Sequence, residues 1–111
     1  MRDDLARLHD IVEAAEAVEK YAARGREAFD EEELIQTWIL HHLMIIGEAV
    51  RGLSPAFRER YPDEIWVRAI GMRNILVHRY FGVDPDAVWE AVQDSLAYLK
   101  RKAQDILARA K

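Results

Sequence analysis

The stretch ELIQTWILHHLMIIGEAVRG, residues 33–52, decides the fold. At about 100° per residue, Thr37, His41, Met44, Glu48 and Arg51 fall on one strip, while Leu34, Ile35, Trp38, Ile39, Leu43, Ile45, Ile46 and Val50 occupy most of the remaining girth. A helix apolar over so much of its circumference must be covered on several sides, which places it at the centre of a helical bundle. Asp30, three residues before Glu33, gives it a capping-box-like start with acids in the first turn, and Gly52 marks its end. So wide an apolar girth in a small bundle also suggests a homodimer.

Outward from this centre the pattern stays helical. Leu5, Leu8, Val12, Ala15, Val18 and Ala22 recur at intervals of three and four, and Gly25 follows, which predicts a first helix over about 3–24. Ser54-Pro55 joins an N-cap to a proline at the first helical position and predicts a short helix to about Arg60. Tyr61-Pro62-Asp63 opens a further helix by the same logic, and Gly82 closes it. Asp84-Pro85 then starts a last helix reaching about Ala108, with Val88, Val92, Leu96, Leu99 and Ile106 inward. No strand pattern, repeat or linker is found. The expected fold is all-α, an antiparallel bundle of four to five helices formed by residues 1–111 as a single domain.

Composition limits the function classes. Half of the 111 residues are apolar and about a third are charged, an ordinary globular balance. Without cysteine there are no disulfides and no thiolate metal sites, and a reducing compartment is permitted. No apolar run approaches the roughly 18 residues of a membrane span, and two acids lie within Met1 to Asp4, so no membrane partner and a cytoplasmic location are expected. The net charge of −4 argues against coating nucleic acid through the overall field. Residues 51–79, however, hold arginines 51, 58, 60, 68, 73 and 79 against Glu59, Asp63 and Glu64, which leaves a local basic zone.

Within that zone lies RNILVHRYF, residues 73–81. Arg73 supplies a permanent planar cation, and His78 supplies a proton-transfer group of a type that titrates near neutrality. Asn74 sits one turn before His78, and Arg79, Tyr80 and Phe81 follow. Together these are the groups needed to cleave a phosphodiester. On one straight helix, Arg73 shares a face with Trp66, Ile70, Val77 and Tyr80, whereas His78 lies about 140° round with Val67, Gly71 and Asn74. Two arrangements reunite them: the long arginine stem wraps around the helix, or a two-fold axis sets the Arg73 of one subunit near the His78 of another.

With the upstream EIWVRAIGM and the downstream GVDPDAVWEAV, residues 63–99 resemble the HepT-like branch of the HEPN superfamily, and IIGEAV at 45–50 extends the likeness. Members of that branch are small all-helical ribonuclease toxins, typically encoded beside a minimal nucleotidyltransferase antitoxin. The resemblance implies a metal-independent endoribonuclease with its cleft at a homodimer interface. RNA, whether tRNA or mRNA, would be the substrate, His78 the general acid or base, and Arg73 the stabiliser of phosphate and transition state. It also implies a control step, the attachment of AMP to Tyr80 by the nucleotidyltransferase.

Structural explanations stand beside these roles. Arg73 on an apolar stripe must find an acid, and Glu48 on the central helix is the obvious one. His78 also suits a helix C-terminus through the dipole, Asn74 an ordinary polar face, and Tyr80 the edge of the core. Arg79 offers at most an RNA backbone contact. Adjacent His41 and His42 point to different sides and make a poor metal pair, one surface and one packing histidine. Trp38, Trp66 and Trp89 read as core rather than as base platforms. No carboxylate–histidine set at metal spacing and no Gly-rich phosphate loop appears, so neither metal nor cofactor is expected. The rival reading is a non-catalytic helical module that docks a nucleotidyltransferase or binds a nucleotide phosphate.

Overall fold

The computed structural model describes residues 3–78 and 82–110. Asp3 starts the first helix, α1 (Asp4–Ala22), by accepting the Ala6 amide at 2.8 Å. Gly25, at a φ of +94° that side chains rarely adopt, turns the chain into α2 (Arg26–Glu31). The central helix is α3 (Glu33–Arg51), followed by α4 (Pro55–Arg60), α5 (Glu64–His78), α6 (Pro85–Asp94) and α7 (Leu96–Arg109). No strand occurs among the described residues, and the all-α bundle expected from the sequence is the observed architecture.

The central helix is covered as its wheel requires. α1 packs along one side and α5 along another, while α7 lies against α1. Ile35, Ile39, Leu40, Leu43, Ile46, Ala49 and Val50 are all buried within this sandwich, so contacts inside one chain account for most of the apolar girth of α3. Leu34 is the main exception, at 86 % exposed, and Leu5 of α1 likewise stays out at 43 %. Further exposed apolar side chains lie on α5, at Val67, Ile75 and Val77.

Two boundaries depart from the sequence expectation. Asp30 does not cap α3. It lies inside α2, where its carboxylate accepts the Arg26 guanidinium at 2.8 Å one turn back, and the same arginine reaches Asp86 of α6 at 2.6 Å. Phe29, 2 % exposed and against the Trp89 ring, anchors this extra turn to the core, and α3 begins at the extended Glu32 with no side-chain cap. The last helix is also two helices. It breaks at Ser95, where α6 ends with a bond from the Ser95 amide to the Ala91 carbonyl. Val88 and Val92 of α6 and Leu96, Leu99, Ala103 and Ile106 of α7 all enter the core, with α7 packed on α1.

Both ends of α1 and the far end of α3 are tied down by polar contacts. Asp4 accepts both the amide and the hydroxyl of Ser54, at 2.8 and 2.7 Å, and Lys100 reaches Glu19 at 2.6 Å. Arg58 donates to the carbonyls of Val50 and Arg51, closing the C-terminal end of α3. One arginine of the basic zone is thereby committed to architecture rather than to a ligand.

Candidate functional site

The site is built where α5 crosses α3, and a glycine makes the crossing possible. A Cβ placed on Gly47 would lie 2.1 Å from the Arg73 Cβ and 3.1 Å from the Ala69 carbonyl oxygen. Only a bare backbone at 47 lets α5 come this close, and the approach sets the stem of Arg73 directly over α3. Gly47 was not among the residues singled out from the sequence. Its signal was there, a glycine inside a long apolar helix, where it costs about 1 kcal/mol relative to alanine unless close approach repays it.

The N-terminal end of α5 is pinned at Asp63. One carboxylate oxygen accepts the Ile65 amide at 2.9 Å, and the other accepts the Tyr98 hydroxyl at 2.6 Å with Lys102 3.3 Å away. Burial pushes the Asp63 carboxyl up, but the hydrogen bonds from Tyr98, Ile65 and Lys102 outweigh it and hold the group below its ordinary range. Donation to this carboxylate raises the Tyr98 phenol in turn. Trp66, 2 % exposed, adds a donated bond to the Tyr61 carbonyl at 2.8 Å. With its start fixed, α5 carries Leu76 into the core at 0 % exposure and presents Asn74, Ile75 and His78 outward.

Arg73 is three-quarters or more sheltered, at 17 % side-chain exposure, and its guanidinium is held on two sides. Nε donates to Glu48 Oε1 at 2.5 Å, and Nη1 donates to Asn74 Oδ1 at 3.0 Å. The acid that the sequence offered to Arg73 is the one it meets. The second bond links Arg73 to its neighbour Asn74, which stands on the face of α5 that carries His78. Donation into Oδ1 also fixes the Asn74 amide with its NH2 turned outward as a donor.

His78 ends α5, exposed, with no hydrogen-bond or ion-pair partner among the described residues. It lines a cleft of 480 Å³ together with Asn74, and the cleft is walled by Met72, Ile75, Val83 and Val88 and closed at the start of α6 by Asp84. Arg79, Tyr80 and Phe81 lie outside the described residues. His42 packs its ring on Trp38 with centroids 4.3 Å apart and sets Nδ1 2.8 Å from the Trp38 carbonyl oxygen, while His41 is exposed. Trp38, at 39 % exposed, is less enclosed than the sequence suggested, although its Nε1 donates to the Ala17 carbonyl. Among the described residues no three His, Asp or Glu side chains converge as a metal-binding set, and no helix is long and apolar enough to cross a membrane.

Known proteins share this arrangement of sequence. A protein of Methanocaldococcus jannaschii named "Putative RNase" is 35 % identical over 104 residues, covering 93 % of this chain and 95 % of its own. A longer protein of the same organism, named "Gamma-glutamylcyclotransferase and putative RNase", is 34 % identical over 101 residues, 90 % of this chain but 46 % of its own length. The "Probable ribonuclease HepT" of Thermococcus cleftensis is 34 % identical over 100 residues, 89 % of this chain and 91 % of its own. No solved structure matches. The family model described as Ribonuclease HepT-like matches residues 11–106, a span that takes in Gly47, Glu48, Arg73, Asn74 and His78, and the chain belongs to the HepT-like ribonuclease family.

Proposed function

We propose that this protein is a metal-independent endoribonuclease, the toxin of a toxin–antitoxin pair, in which His78 moves protons and Arg73 neutralises the phosphate. The observation that carries the reading is the Arg73 guanidinium braced by Glu48 and Asn74, with the same Asn74 lining an open cleft together with His78. RNA brings its own nucleophile, the 2′-hydroxyl beside the scissile phosphate, so a protein need only orient it, transfer protons and offset charge. His78 takes the 2′-hydroxyl proton as the oxygen attacks phosphorus, or gives a proton to the departing 5′-oxygen. The P–O5′ bond breaks and the 2′,3′-cyclic phosphate is left. Arg73 presents its fork to the non-bridging oxygens, where charge accumulates in the pentacoordinate transition state, and the Asn74 amide orients them.

A homodimer fits this reading, with the exposed Val67 and Ile75 of α5 in its apolar seam and a second His78 for the second proton transfer. The nucleotidyltransferase antitoxin would silence the site by attaching AMP to Tyr80, whose added charge and bulk would repel and exclude RNA. A cytoplasmic location accords with such a substrate and partner.

The test is cleavage of single-stranded RNA by the protein with and without EDTA. His78→Ala and Arg73→Lys are each expected to abolish cleavage while leaving helical circular dichroism intact, since His78 is exposed and lysine keeps the charge but loses the planar fork. Parental rates in both variants reject the assignment. Growth arrest on expression of the chain alone, lost with His78→Ala, separates a toxin from a docking module.

A further inference from the structure

We infer that the open face of α3 between Glu48 and Trp38 is a path for the RNA strand, and that one unpaired base of the strand stacks on the Trp38 indole. The inference rests on the ribonuclease reading of Arg73 and adds to it a base-binding site on another helix. α1 and α5 cover α3 from two sides and leave one face of it open. Leu34, Thr37, His41 and Glu48 are exposed there, within about 60° of one another at 100° per residue. Trp38 stands about 40° beyond Leu34, on the side of α1. Glu48 is the residue that receives Arg73 Nε, so this face leads from the guanidinium toward Trp38. Ten residues at 1.5 Å each set Glu48 and Trp38 about 15 Å apart along the axis, about four nucleotides of a stacked strand at 3.4 Å each.

Trp38 offers surface rather than hydrogen bonds. Its single donor, on Nε1, is spent on the Ala17 carbonyl at 2.8 Å, and an indole has no acceptor. Two neighbouring rings brace it: Tyr21 meets it edge-on with centroids 5.3 Å apart, and His42 packs on it at 4.3 Å. Even so, 39 % of the residue stays exposed. A braced aromatic with no free polar group gives a ligand only its π-surface, and every nucleobase has a face that matches it. Charge then favours a nucleic acid over an apolar protein segment. Lys20 and Arg24 are exposed and stand over the Tyr21 ring at 5.6 and 5.4 Å. Arg24 lies 3.9 Å from Glu32, whereas Lys20 has no ion pair among the described residues. A phosphate beside the stacked base meets these cations. The exposed Glu31, Glu32 and Glu33 repel phosphate at the start of α3 and end the path near Leu34.

The test uses the full chain and single-stranded oligonucleotides. A DNA strand with one ribonucleotide fixes the cleaved phosphate, and a series of such strands each lacks one base, at successive positions on either side. In the parent, kcat/KM is expected to fall about tenfold for a base missing at one position within about four nucleotides of the cleaved phosphate, the weight of one base–aromatic stack. In Trp38→Leu, which keeps an apolar side chain without a π-face, the intact strand is expected to be cleaved about tenfold less efficiently and the missing base to cost nothing further. A penalty of equal size in parent and variant, or none in the parent, overturns the inference and leaves the ribonuclease reading in place. Trp38→Phe is expected to keep the penalty. A Trp38→Phe protein that behaves like Trp38→Leu ties the effect to the Nε1 bond and overturns the stack as well. Absence of cleavage, or cleavage that survives His78→Ala, defeats the ribonuclease reading instead. Fluorescence anisotropy with the same strand carrying a 2′-O-methyl ribonucleotide, which cannot be cleaved, then decides the stack: a Kd about tenfold higher in Trp38→Leu upholds it, and an equal Kd overturns it. An equal Kd with an altered sedimentation coefficient assigns the face to contact between copies of the chain.

Discussion

Gly47→Ala should separate activity from stability. The added methyl would sit 2.1 Å from the Arg73 Cβ and 2.8 Å from its Cγ, against the roughly 3.5–4 Å at which carbons rest. Arg73 and the turn of α5 that carries it must therefore retreat by about 1.5 Å, because the atom met first is a Cβ and cannot swing aside as a side-chain tip would. Overpacking of this kind costs about 1–3 kcal/mol, and replacing a mid-helix glycine by alanine returns about 1 kcal/mol. The net loss of about 0–2 kcal/mol lowers Tm by at most about 10 °C, and the protein stays folded at 25 °C. The same retreat pulls the guanidinium away from Glu48 and Asn74, and a misplacement near 1 Å at a reacting centre is worth about a hundredfold in rate. RNA cleavage and thermal circular dichroism on the same samples provide the assay. A variant that melts within this range and cleaves as fast as the parent refutes the claim that the Gly47 crossing positions Arg73.

Leu76→Ala, at a fully buried position between Arg73 and His78, should cost about 2–5 kcal/mol in urea unfolding with an unchanged m-value, and a loss under 1 kcal/mol would mean that the inner face of α5 is looser than its burial implies. Asp63→Asn tests the anchor of α5: a carboxyl held below its ordinary range stabilises the fold above about pH 4, and that stability disappears as pH falls through the depressed value. The parent should therefore lose stability below about pH 4 more steeply than the variant, and parallel pH profiles for the two proteins would remove Asp63 from the acid response. Glu48→Gln keeps an acceptor for Arg73 but removes a half-exposed charge, so stability should change by less than about 1 kcal/mol while KM for RNA falls. A rise in KM would show that the charge of Glu48, rather than its oxygen, places the arginine.

The wheel of residues 33–52 was enough to place α3 at the centre, because an apolar girth admits few other positions. The starts of α4 and α6 were equally plain, since Ser54-Pro55 and Asp84-Pro85 combine a capping side chain with a preset φ, and both caps form. Asp30 misled for a physical reason: its capping geometry competes with an i,i+4 pair to Arg26, and burial of Phe29 tips the choice toward an extra turn of helix. The break at Ser95 has no such local sign, because the hydrophobic spacing runs through it unchanged. At the site, the Glu48–Arg73 pair followed from charge and burial alone. The bond from Arg73 to Asn74 did not, because a helical wheel fixes where a side chain leaves the axis and says nothing of how far a long stem returns around it. Gly47 was hidden for the opposite reason, since what matters is the neighbour that the missing side chain admits.

The two bonds on Arg73 define what remains of it for chemistry. A guanidinium has five N–H donors, of which Glu48 takes the one on Nε and Asn74 takes one on Nη1. Three are left, the second on Nη1 and both on Nη2, so both Nη atoms keep a donor for phosphate oxygens. Glu48 and Asn74 thus remove the freedom of a long flexible chain while leaving three of its donors. That is the condition under which an arginine loses little entropy when a phosphate arrives. The bracing is complete within one chain, so a second subunit is not needed to aim Arg73. Its role in the proposed dimer is narrower: cleavage requires one proton to be removed from the 2′-oxygen and another delivered to the 5′-oxygen, on opposite sides of an in-line phosphorus. A single imidazole at the end of α5 cannot stand on both sides at once.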